Sequence, residues 1–79
     1  MNNLIRLETL TDIRTFHTKV SQLPQEIYLT NGTRRYRVNA KSYLSCLMAS
    51  GEWEQIWVEC EEDIYAALKP WIIEGVSAT

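Results

Sequence analysis

The dipeptide Asn31-Gly32 constrains this chain more than any other feature of its sequence. It stands between EIYLT at 26–30 and a second alternating run ending in YRVN at 36–39. Both residues tolerate the positive φ that a two-residue hairpin turn requires. The two runs are therefore expected to pair as antiparallel strands. In the first, Glu26 to Thr30, Ile27 and Leu29 face together. In the return strand, Arg34 to Asn39, Tyr36 and Val38 point one way and Arg35 and Arg37 the other.

Helical and strand periodicities alternate around that hairpin. Leu4 to Leu10 reads as a first strand, with Ile5 and Leu7 on one face and Arg6 and Glu8 on the other. Thr11 or Asp12 offers an N-cap for a helix whose apolar stripe is Ile13, Phe16, Val20 and Leu23. Pro24 ends it, because the ring lacks an N–H and disfavours helix in the residue before it. Beyond the hairpin lies VNAKSYLSCLMASG, residues 38–51. There Ser42 suits an N-cap, Leu44, Leu47 and Met48 follow helical spacing, and Gly51 suits a left-handed end. A helix of roughly two turns is unstable alone in water, so tertiary packing must hold it.

Glu52 to Cys60 reads as a fourth strand, with Ile56, Val58 and Cys60 on one face and Trp53, Gln55, Trp57 and Glu59 on the other. A last helix is expected from Glu61–Asp63, where acidic residues suit the helix dipole. Its apolar stripe is Ile64, Ala67, Leu68 and Trp71, and Pro70 predicts a kink or an early break. Gly75 to Thr79 reads as a loose tail. The order βαββαβα implies one α+β domain over 1–79, an open-faced sandwich with a four-stranded antiparallel sheet and three helices on one face. The open face is expected to carry Arg35, Arg37, Trp57 and Tyr28.

Composition narrows the function. A net charge of −2 over 79 residues gives no general electrostatic reason to bind nucleic acid. No uncharged apolar run approaches membrane length, and the N-terminus lacks the pattern of a signal peptide. Two cysteines suggest reduced thiols, so a cytoplasmic location is expected. Cys46, Cys60 and His17 lack the close spacing of a zinc site and read as buried thiols and a helix residue. No phosphate loop, nucleophile elbow or metal-protease motif is present, so neither an enzyme nor a cofactor is expected. Arg34, Arg35, Arg37 and Lys41 form a basic cluster beside an aromatic face, a pattern that single-stranded nucleic acid can use. Five nearby glutamates offset it, and stacking of an arginine on Trp57 is a structural alternative.

The element order, the length and the segment NAKSYLSCLMASG together resemble HPr, the histidine-containing phosphocarrier family of the sugar phosphotransferase system. Lys41-Ser42 opening a short helix is the closest match, and EIYLTNG with YRVNAKS is similar to that family's central hairpin. The resemblance implies a regulatory phosphorylation site at Ser42 and partner docking through Arg14, Lys41, Tyr43, Leu44 and Leu47. It also implies partners of the HPr-kinase type, a LacI-type transcription regulator, or another phosphotransferase-related protein. One departure is decisive for activity. The family's phosphohistidine opens the first helix; aligned at the first strand that position falls near Ile13 or Arg14 here, and aligned at the helix end several residues earlier, with no histidine at either. The single histidine, His17, lies inside the helix, away from the free N–H groups that receive a phosphate. The expectation is an HPr-like regulatory or binding protein without histidine carrier chemistry. The alternative is an open-faced interaction module binding protein or nucleic acid through its sheet.

Overall fold

The computed structural model describes residues 1–33 and 35–77. Thr9 and Asp12 cap each other to start α1, Leu10–Gln22: the Asp12 N–H donates to Thr9 Oγ1 at 3.0 Å and Asp12 Oδ2 accepts from the Thr9 N–H at 3.2 Å. This reciprocal capping box starts the helix ahead of the expected cap and shortens the strand before it, so β1 is Asn2–Ile5 rather than residues 4–10. The predicted stripe holds, with Ile13, Phe16 and Val20 buried and Leu23 packed beside them.

The hairpin forms between β2, Tyr28–Thr30, and β3, Arg37–Asn39, with Thr30 opposite Arg37. Its connection is longer than a two-residue turn. Gly32 does not take a positive φ; instead Asn31 Oδ1 accepts from the Thr33 hydroxyl at 3.0 Å and the Arg35 N–H at 3.1 Å. The asparagine side chain thus closes a wider loop, as in other Asx turns. Arg35 lies in that loop, while Arg34 lies outside the described residues.

Next comes α2, Tyr43–Glu52, capped by Ser42 as expected. Gly51 keeps helical backbone, and the helix runs on to Glu52 before Trp53 turns extended. β4 is Ile56–Glu59, with Ile56, Val58 and Cys60 buried. The last helix is short: α3 spans Tyr65–Leu68 and passes into a 3-10 turn at Lys69–Trp71, where Pro70 enforces the break.

Beyond that turn the chain departs from the expected architecture. Ile72–Ser77 is a fifth strand, β5, pairing antiparallel with β1. Gly75 to Ser77 is therefore strand rather than tail; Ala78 and Thr79 lie outside the described residues. The sheet has five strands instead of four, all antiparallel, in the order β3-β2-β4-β1-β5. One face carries Ile5, Leu29, Ile56, Val58 and Ile72, which form a single core with Ile13, Phe16 and Val20 of α1, Cys46 and Ala49 of α2 and Leu68 of α3. Phe16 meets Trp71 edge to face, ring centroids 5.6 Å apart. Burying a side chain the size of Phe16 contributes about 2–3 kcal/mol.

Candidate functional site

The N-terminus of α1 shows what this protein does with a helix's positive end. The Glu8 and Thr9 N–H groups both donate to Asp12 Oδ2. A carboxylate therefore already sits where an incoming anion would bind. His17 is the eighth residue of α1 and its Nε2–H donates to the Lys41 carbonyl at 2.9 Å, since a carbonyl only accepts. The imidazole also meets the Tyr43 ring edge to face at 5.3 Å.

These contacts tie α1 to the start of α2. Lys41 reaches back as well, its Nζ donating to the Leu23 carbonyl at 2.6 Å beyond the end of α1. The ammonium thus satisfies a carbonyl beyond that helix end. Of the residues expected to dock a partner, Lys41 is the one whose charged tip is spent inside the molecule.

From that junction α2 runs back along α1. Tyr43 meets His17 at one end, and near the other the Ser50 hydroxyl donates to the Leu7 carbonyl at 3.0 Å, just ahead of α1. Leu10, Arg14 and His17 fall at helical spacing on α1, on the side that His17 turns to α2. Tyr43 and Leu47 share the facing side of α2. No protein-family model, curated protein or solved structure matches this chain.

The buried side of α2 is Cys46 and Ala49. Small side chains let α2 sit close against its neighbours, which turns the leucine row toward the rim. Leu47 still packs partly on the core, whereas Leu44 is 77% exposed and Tyr43 36% exposed. Leu10, at the start of α1, is 63% exposed. Sequence reasoning missed Leu10 because it assigned that residue to the first strand; its place directly after Thr9, inside the Thr9-x-x-Asp12 capping box, was the available signal. Of the expected docking residues, Tyr43 meets His17 of α1 and Leu47 packs partly on the core, while Arg14 and Leu44 are exposed and Ser42 stands at the start of α2. Ser42 is half-buried and its Oγ accepts from the Ser45 N–H at 3.3 Å.

The sheet's other face is uncovered by helices. Register places Tyr28, Thr30, Arg37, Trp57, Glu59 and Leu4 there. Arg37 stacks on Tyr28, its guanidinium carbon 3.7 Å from the ring centre, and pairs with Glu59 at 3.2 Å. Trp57 instead gives its indole N–H to Gln55 at 3.2 Å. One expectation fails here: Arg35 is off the sheet. The stacking alternative is met by Tyr28 in place of Trp57. A cleft of about 620 Å3 opens beside this pair, bounded by Tyr28, Arg37, Glu59, Glu61 and Glu62. Cys46 and Cys60 are free and buried; burial pushes the Cys46 thiol up to about 11, and it donates to the Ala40 carbonyl at 3.2 Å. Among the described residues no helix is long and apolar enough to cross a membrane.

Proposed function

We propose that this is an HPr-like binding protein, related to the phosphotransferase system and without histidine carrier activity, that docks a protein partner on the α1–α2 seam. The observation that carries the reading is Leu44, 77% exposed on a helix whose other side is buried. A large apolar side chain left in water next to Tyr43 is what a partner would cover. The absence of carrier chemistry rests on the self-capped α1 N-terminus and on His17 lying well inside the helix with its Nε2 proton given to Lys41. Ser42 is the proposed point of regulation. A phosphate there would gain the free N–H groups of the first turn of α2 and place negative charge beside the docking residues. The partners would be a kinase of the HPr type, a LacI-type regulator or another phosphotransferase-related protein.

Intact-mass spectrometry tests the chemistry in two incubations. With phosphoenolpyruvate and the general phosphotransferase enzyme, no phosphate is expected; one on His17 makes the protein a carrier and ends this reading. With ATP and an HPr kinase, one phosphate is expected, on Ser42. Failure of that second step removes the regulatory part and leaves docking to be judged by Leu44→Glu.

A further inference from the structure

We propose that the open face of the sheet is the interface of a two-fold homodimer centred on Trp57. Three observations point there. An antiparallel sheet with one face in water normally alternates apolar-in and polar-out. Here Leu4, Tyr28, Trp57 and Ile73 stand on the uncovered side, each only partly buried. Tryptophan and tyrosine in such a position are the residue types that anchor interfaces.

The charges on this face suit a second copy better than a nucleic acid. An isologous contact brings a patch against itself, so the patch must carry both signs. Arg37 and Glu59 supply one of each, 3.2 Å apart, on either side of Tyr28. Nucleic acid would need uncompensated positive charge, and the arginine of this face is already paired. The α1–α2 seam lies on the opposite side of the sheet, so this proposal stands independently of the docking reading.

Sedimentation velocity from micromolar to millimolar protein tests it, with circular dichroism as the check on folding. Wild type should pass from monomer to dimer as concentration rises. Arg37→Glu makes the patch doubly negative and Glu59→Arg doubly positive; each alone should weaken the dimer by about tenfold or more. Mixing the two variants in equal amounts should restore a dimer, now a heterodimer, which only an intermolecular match of charges can do. Wild type monomeric throughout, or a mixture no tighter than either variant alone, overturns the proposal. So does a dimer broken by Leu44→Glu but not by Arg37→Glu, or capture of a single-stranded oligonucleotide that Arg37→Glu abolishes.

Discussion

Thr30 carries its hydroxyl to a place where, among the described residues, nothing donates to it or accepts from it. It is 1% exposed on the nominally open face, between its cross-strand neighbours Arg37 and Trp57. A buried unsatisfied hydroxyl is costly, whereas an apolar group of the same shape is not. Thr30→Val should therefore raise stability by about 1 kcal/mol, read as a higher urea midpoint. A lower midpoint would show that the hydroxyl has a partner. The alternation of EIYLT correctly placed Thr30 opposite Leu29, but its burial was illegible because the covering side chains come from two other strands. Cys46 makes stability depend on pH. It keeps its proton in the folded state up to about 11 against 9.0 when unperturbed, because burial disfavours the thiolate. The unfolded chain releases that proton first, so stability is fully present below pH 9 and is lost as pH rises toward 11. Tyr65, raised by its hydrogen bond to Glu74, adds a loss of the same sign at higher pH. The difference between wild type and Cys46→Ala in alkaline denaturation isolates the thiol and should reach on the order of 2 kcal/mol.

Among the elements, α2 separates folding from docking within one turn. Leu47 packs against the core and Leu44 does not. Leu47→Glu should cost about 2 kcal/mol or more by removing apolar burial and placing a charge at the core's edge. Leu44→Glu should leave the thermal midpoint nearly unchanged and abolish capture of a docking partner. An unfolded Leu44→Glu protein, or one that still binds, counts against the seam. Ser42→Ala removes the bond to Ser45 N–H and should cost about 1 kcal/mol. Local signals served well here: the Ser42 cap, the α1 stripe and the break at Pro70 were all legible, because each depends on residues within a few positions. The loop at 31–36 was less so, since Asn31-Gly32 fits two turn chemistries and the choice between them depended on the Asn31 side chain folding back onto Thr33 and Arg35.

Across the fold, β5 is the largest departure from expectation. Ile72 and Ile73 have strand chemistry, but a short run after a proline and before Gly75 reads as an ending. Its partner β1 is the first strand of the sequence, and no local pattern reports so distant a pairing. Gly75 is the one glycine with positive φ, at 81°, and a methyl group added there would meet nothing within 4 Å. The cost of Gly75→Ala is therefore backbone strain alone, about 1 kcal/mol, measurable as a fall in Tm. An unchanged Tm would mean that β5 contributes little to the cooperative unit.

The order β3-β2-β4-β1-β5 also sets a timetable for the chain as it is made. The first strand to be synthesised has only two neighbours, and both come from residues 56–77. Until those residues leave the ribosome, β1 has an apolar face and two bare edges with nothing to join. The hairpin and the first two helices can collapse early, but the sheet closes only once β4 and β5 have emerged. Such distant pairings slow folding and prolong the exposure of unpaired strands. A chain stalled before residue 56 should consequently be far more prone to capture by holding chaperones than one stalled beyond residue 77.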